Sequence, residues 1–176
     1  NWELVFWDNQ STDKSKAIFD SYQDDRLKYY YAPEHTDLGG GRANAFKYLY
    51  GDYIAVLDVD DIWLPTKLKK QLQLFTDPDV GIVISNTLFF NETDERILYD
   101  GEYPPEGDVF RELLTGYFVS LETLILRKSV VDKLDYGFDA DFSFIADFDL
   151  VLRSARISKL AICKELLAKW RVHEAS

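Results

Sequence analysis

Apolar residues come in short runs separated by polar, turn-forming segments, and their period switches along the chain. Leu4 to Trp7 is an apolar run closed by Asp8-Asn9-Gln10-Ser11-Thr12-Asp13. A short run bounded in this way predicts a buried strand. Thr12 or Asp13 is placed to cap a helix over roughly 14–24, with Ala17, Ile18 and Tyr22 as its inward stripe. Leu27 to Tyr31 predicts a second strand. Leu38-Gly39-Gly40-Gly41 predicts a flexible loop, followed by a helix from Arg42 to Tyr50 that Gly51 stops. Tyr53 to Leu57 predicts a third strand. Pro65 then opens a helix running to Phe75, with Leu68, Leu72 and Phe75 inward.

The second half continues with a strand over Val80 to Ser85 and a hairpin from Thr87–Phe90 to Arg96–Tyr99 around Asn91-Glu92-Thr93-Asp94. A Pro-rich loop follows at Tyr103 to Gly107, then a short helix over Val109 to Thr115. Thr123 to Leu126 predicts a strand, leading into a short helix over Ser129 to Leu134. Asp147 to Ile157 predicts a helix with Leu150, Val151 and Ala155 inward. Leu160–Cys163 and Leu166–Val172 predict two last strands. Strands alternating with helices predict an α/β domain with an open, mostly parallel, twisted sheet flanked by helices. No repeat, low-complexity stretch or linker divides the chain, so a single domain over residues 1–176 is expected.

Composition narrows the function classes. The 176 residues are 47% hydrophobic and 15% aromatic, enough for a globular core. The net charge of -11 argues against a nucleic-acid partner, which would need a basic face. No run approaches ~18 apolar residues, so no membrane-spanning helix is expected. The single Cys163 excludes a disulfide framework within the chain and reads as a core thiol in a reducing compartment. The chain contains no Met and starts on Asn1 directly ahead of a strand, which points to a fragment or a processed form.

The chemistry concentrates at Tyr53-Ile-Ala-Val-Leu-Asp58-Val-Asp60-Asp61-Ile-Trp-Leu-Pro65. Three carboxylates crowd the end of a buried strand, where uncompensated charge is costly. A divalent cation is the natural compensation. In a strand, residues two apart share a side, so Asp58 and Asp60 can address one ion. Mg²⁺ or Mn²⁺ suits a site of few carboxylates completed by water and phosphate oxygens. In open α/β sheets ligands bind beyond the carboxyl ends of strands. Asp8-Asn9, the loop before Arg42, Asp58 to Asp61 and the Asp147 region all lie at such ends.

These segments together resemble the family 2 glycosyltransferases of the GT-A fold. The resemblance runs through Asp8 to Asp13, Arg42 with Asn44, Gly51 to Pro65, Lys67-Leu68, Gln71, Asp147 to Arg153 and Arg171-Val172-His173. It implies inverting transfer of a sugar from a nucleotide-diphosphate sugar, a uridine diphosphate sugar being the family's commonest donor. By that resemblance Asp60 would be the direct metal ligand, and Asp58 would face the ribose or donor sugar or touch the metal through water. Asp8 would contact the nucleobase with Asn9 beside it, and Arg42 would lie beside the nucleotide. Asp147 would be the catalytic base, with Asp139 and Asp141 as alternatives. His173 would approach the metal or diphosphate, and Trp63 would wall the acceptor side. Residues 1–85 would form the donor and metal half and 86–176 the acceptor half. The acceptor would be a saccharide or lipid-linked sugar in surface polysaccharide or glycolipid synthesis, in the cytoplasm with peripheral contact at the inner face of the membrane.

Each residue keeps a structural alternative. Asp8 can be a turn carboxylate, Arg42 a partner of surface acids, Asp147 a first-turn acid, His173 a surface residue and Trp63 core. Asp61 reads as a cap for the helix entered at Pro65. Two departures from the family stand out: Ala146 replaces the Glu that often precedes the base, and the family's first strand–helix unit is absent, which predicts an N-terminally truncated sheet and weak donor binding. A haloacid-dehalogenase-type phosphatase and a sugar-nucleotide pyrophosphorylase lack their companion motifs here. A catalytically inactive binding module of the same fold is the remaining alternative.

Overall fold

The computed structural model describes residues 1–173 of the 176. The chain gathers into two compact units. One comprises Asn1–Asp52 and Asp135–Leu150, the other Tyr53–Leu134 and the chain from Val151 onward.

In the first unit, β1 (Leu4–Asp8) pairs in parallel with β2 (Leu27–Tyr31), joined by α1 (Ser15–Asp20). Phe6 and Tyr29 are cross-strand partners on one face, and Phe19 of α1 packs on both. Trp7 and Tyr30 face the other way, with Tyr48 stacked on both rings. Covering both faces explains the unbroken apolar run of β1. The inward stripe expected for α1 is corrected: Ile18 and Tyr22 are exposed, at 58% and 65%. Phe19, packed at a tilt against the Phe6 and Tyr29 rings, takes the inward place.

The glycine triplet is also corrected. It lies inside α2 (Leu38–Phe46), whose N-cap is Asp37, the Oδ1 of which accepts from the Gly40 N–H at 2.9 Å. The three glycines are buried, and neighbours press on two of them: a Cβ on Gly39 would sit 2.1 Å from the Phe142 carbonyl oxygen and one on Gly40 2.8 Å from the Thr36 Cβ. Glycine here serves close approach rather than flexibility.

The second unit holds β3 (Tyr53–Ala55), β4 (Ile62–Trp63), α3 (Lys67–Leu72), β5 (Val80–Phe90), β6 (Glu95–Ile97), α4 (Phe110–Thr115), β7 (Ile125–Arg127), α5 (Lys128–Val131) and β8 (Lys159–Arg171). The helix α6 (Ala146–Ala155) ends in this unit. Strand order is β3-β7-β5-β8-β4, with β6 beside β5. The long β5·β8 pairing is parallel, like β1·β2, and the four shorter pairings are antiparallel.

Two strand expectations merge. Val80–Ser85 and Thr87–Phe90 are one strand, because the Asn86 side chain substitutes for ladder bonds at a register shift. Its Oδ1 accepts from the Thr87 and Tyr99 N–H groups, and its Nδ2 donates to the Tyr99 carbonyl. Leu160–Cys163 and Leu166–Val172 likewise join into β8 across the same shift. Cys163 is half-buried there rather than a full core thiol. In α3 and the 3-10 turn after it, Phe75 is buried and Leu68 packs against its cluster, but Leu72 is 37% exposed. Lys67 and Gln71 take the innermost positions instead. Among the described residues, no helix is long and apolar enough to cross a membrane.

Candidate active site

The structure places the expected site residues in two sets. Asp8, Asn9, Arg42 and Asp147 belong to the first unit; Asp58, Asp60, Trp63 and His173 belong to the second.

Asp8 ends β1 almost fully buried. Its Oδ1 accepts from the Ser11 N–H at 2.7 Å and its Oδ2 from the Tyr29 hydroxyl. Burial opposes its charge, but the bonds from Tyr29, Ser11 and Gln10 outweigh that and hold the carboxyl below its usual range. Burial and the Asp8 carboxylate together push the Tyr29 phenol up to about 12. Asn9 ties the strand end to the loop before α2: Nδ2 donates to the Thr36 carbonyl at 2.7 Å, and Oδ1 accepts from the Thr36 N–H and hydroxyl at 3.3 Å. Arg42 projects from α2 with its guanidinium 5.9 Å from the centre of the Phe138 ring. Asp147 lies half-buried in the first turn of α6, where a helix N-terminus favours negative charge. Ala146 beside it is completely buried.

In the second unit the acidic stretch is a turn, not a strand. Pairing in β3 stops at Ala55, and the Asp61 N–H donates back to the Asp58 carbonyl at 3.1 Å. The β-strand alternation expected to put Asp58 and Asp60 on one side therefore does not apply to this stretch. Strand β8 and the residues after it hold this turn. His173 Nε2 lies 2.8 Å from Asp60 Oδ2. Arg171 donates its Nε–H to the Asp60 carbonyl at 3.2 Å and its backbone N–H to Asp61 Oδ1 at 3.0 Å. Asp61 is thus no helix cap; the N-cap of α3 is Thr66, without a side-chain bond. Burial raises the Asp61 carboxyl to about 7, against the Arg171 bond and with the charges of Glu122, Asp60 and Asp58 adding.

A carboxylate with an imidazole beside it, and a second carboxylate in the same turn, is a donor set that fits Mn²⁺ or Mg²⁺. Among the described residues no three His, Cys, Asp or Glu side chains gather to hold an ion unaided. A diphosphate and water would supply the remaining oxygens. Trp63 turns its indole N–H toward the Glu122 carbonyl, at 2.8 Å.

Sequence reasoning missed Tyr29, the partner of Asp8, and the burial of Lys67, Gln71 and Glu122. Lys67 and Gln71 share one face of α3, but as polar residues they give no hydrophobic-period signal. Glu122 carries no local signal.

A family model described as Glycosyl transferase family 2 matches residues 1–135. An Escherichia coli protein named UDP-Glc:alpha-D-GlcNAc-diphosphoundecaprenol beta-1,3-glucosyltransferase is 24% identical over 176 residues, covering 100% of this chain and 68% of its own. An uncharacterized glycosyltransferase of Methanocaldococcus jannaschii is 28% identical over 177 residues, 96% of this chain and 59% of its own. Among solved structures, S. aureus TarS in complex with UDP-GlcNAc matches with a TM-score of 0.78 at 16% identity, over 99% of this chain and 50% of TarS. A mannosyltransferase of Pyrobaculum calidifontis in complex with GDP-Man and Mn2+ gives 0.70 at 15% identity, over 98% of this chain and 48% of its own. The chain therefore spans about half to two thirds of the proteins it matches. The structural likeness establishes a mixed α/β fold of the GT-A type.

Proposed function

Because the chain belongs to glycosyltransferase family 2, we propose that it works as a metal-dependent inverting transferase, moving a sugar from a nucleotide-diphosphate sugar to a hydroxyl acceptor. The observation that carries this reading is the Asp60–His173 pair, 2.8 Å apart in the second unit, with Asp60 on a turn that also bears Asp58. Asp60 and His173 would hold Mn²⁺ or Mg²⁺, and Asp58 would face the ribose or donor sugar. The bound metal would neutralise charge on the diphosphate leaving group. Asp8, kept ionised by Tyr29 and Ser11, would accept from the nucleobase, with Asn9 holding the neighbouring loop. Arg42 would lie against the nucleotide. Asp147 would take the proton of the acceptor hydroxyl as general base, and direct displacement would invert the anomeric centre. Trp63 would offer an aromatic wall on the acceptor side.

A uridine diphosphate sugar is the proposed donor, supported by the names of the E. coli relative and the TarS complex. A saccharide or lipid-linked sugar is the proposed acceptor, and surface polysaccharide or glycolipid synthesis at the cytoplasmic face of a membrane the proposed setting. The test pairs two substitutions. Asp60→Ala should abolish Mn²⁺-dependent UDP binding by calorimetry. Asp147→Asn should keep that binding and lower transfer by about 10²–10⁴-fold, the usual worth of general base catalysis. Transfer at the wild-type rate in Asp147→Asn would remove the base assignment. Binding without any turnover in the unsubstituted protein would favour an inactive binding module.

A further inference from the structure

The proposed reaction does not use three buried polar side chains, Lys67, Gln71 and Glu122, two of which follow shortly after Trp63 in the chain. Trp63, Lys67 and Gln71 recur at every fourth residue from β4 into α3. All three reach the 3-10 turn Leu121–Thr123. Trp63 Nε1–H donates to the Glu122 carbonyl at 2.8 Å. Lys67 Nζ donates to the Thr123 carbonyl at 3.3 Å, and Gln71 Nε2 donates to the same oxygen at 2.8 Å. The Lys67 ammonium also sits 4.4 Å from the centre of the Trp63 ring, within cation–π range.

Lys67 and Glu122 are each only 1% exposed. Burying a lysine is costly, and burial pushes the Lys67 ammonium down to about 7 although the Glu122 charge favours its protonated form. Ser120 Oγ–H in turn donates to the Glu122 carboxylate. A leucine would fill the Lys67 site without that penalty. What the lysine adds is directional grip on Trp63 and on the 121–123 turn. Trp63 stands two residues beyond Asp61, and β4 pairs with Ala168 and Lys169 of β8, just before Arg171. It is the first residue after the acidic turn whose side chain is anchored on this face.

We propose that Trp63 and Lys67 are positioning residues that latch the exit of the acidic turn onto the 121–123 turn and thereby hold Asp60 in the orientation its ligand requires. The consequence for ligand binding rests on the reading of Asp60 as the cation ligand; the latch itself does not.

Amide hydrogen exchange over residues 58–64 tests the latch, using Lys67→Met, which removes the ammonium but keeps length, and Trp63→Phe, which removes the N–H donor but keeps a ring. Exchange at 58–64 should accelerate about tenfold in each, while exchange in Val80–Phe90 stays unchanged. The affinity for Mn²⁺ in the presence of UDP, followed by the resonance signal of free Mn²⁺, should fall about threefold to tenfold. If Lys67→Met does not fold, Trp63→Phe carries the test. Unchanged exchange at 58–64, or acceleration spread equally through Val80–Phe90, overturns the inference. Local acceleration with wild-type Mn²⁺ affinity overturns its consequence for Asp60, provided Asp60→Ala abolishes binding. Should Asp60→Ala bind Mn²⁺ normally, the metal assignment fails and the latch is judged on exchange alone.

Discussion

Two adjacent-looking glycine substitutions in α2 should have opposite effects on stability. A Cβ on Gly39 would meet the Phe142 carbonyl oxygen at 2.1 Å, its carbon at 2.9 Å and the Asp139 carbonyl oxygen at 3.1 Å. Real Cβ atoms do not approach other atoms closer than 3.0 Å, so backbone near Phe142 must shift by about an ångström. Such overpacking costs about 1–3 kcal/mol in a packed interior. A Cβ on Gly41 would find nothing nearer than the Asn9 amide at 3.8 Å, an ordinary contact. Both glycines lie inside a helix, where Ala is favoured over Gly by about 0.5–1 kcal/mol. Gly41→Ala should therefore stabilise by about that amount. Gly39→Ala loses the same gain to the clash and should be destabilising by about 1–2 kcal/mol. Urea unfolding of the two variants, with slopes compared to confirm a common denatured state, reads the difference directly. Equal stabilisation by both substitutions would show that the 139–142 segment does not press on α2. The same clash predicts that Gly39→Ala alone disturbs the segment leading into Asp147.

Other expectations follow from the buried ionisable groups. Tyr29→Phe removes a donor to the Asp8 carboxylate and should lower stability at pH 7. Because the folded-state pKa of Asp8 is depressed, its stabilisation is present above the unfolded value of about 3.9 and is lost as pH falls through the folded one. The gap between variant and wild type should thus narrow toward pH 3 in urea midpoints. Lys67 behaves oppositely. Its folded pKa of about 7 lies below the unfolded value of about 10.4, so the unfolded chain binds the extra proton between them and stability rises with pH across that window. Lys67→Met should flatten that rise in thermal melts from pH 7 to 10. His173→Gln keeps a hydrogen-bonding group beside Asp60 but loses the imidazole, and should weaken Mn²⁺ binding with UDP by about tenfold or more in calorimetry if the ring is a ligand.

The strands were legible because their apolar runs are short and sharply bounded. The order of elements was legible too, apart from β4, which has only two residues and no pattern of its own. Faces were less legible. Periodicity marked Leu68, Leu72 and Phe75 as inward in α3, yet Lys67 and Gln71 are the innermost side chains. A hydrophobic-period reading cannot see a polar side chain whose partners are backbone carbonyls some fifty residues away, such as Thr123. The glycine triplet failed for the same reason: what makes Gly39 necessary is the carbonyl of Phe142, not anything in its own stretch.

The site shows where local reading stops. Crowded carboxylates at a strand end signalled chemistry at Asp58 to Asp61 without revealing how their charge is balanced. The structure shows the partners these carboxylates have. Asp60 has His173 beside it, Asp61 accepts a backbone N–H from Arg171, and burial lifts the Asp61 carboxyl to about 7. Near neutral pH, Asp61 therefore carries only part of a full negative charge. The cost first assigned to three carboxylates is smaller than a count of them suggests, and part of it is met from β8 and the residues that follow, more than a hundred positions away. On the proposed reading, a cation would serve less to rescue the turn than to use it. That distinction has a physical consequence: the turn can stay folded without metal, so removing the metal should abolish nucleotide binding while leaving the melting temperature nearly unchanged. A large drop in melting temperature on chelation would instead mean that the ion is structural and that β8 does not suffice to hold the turn.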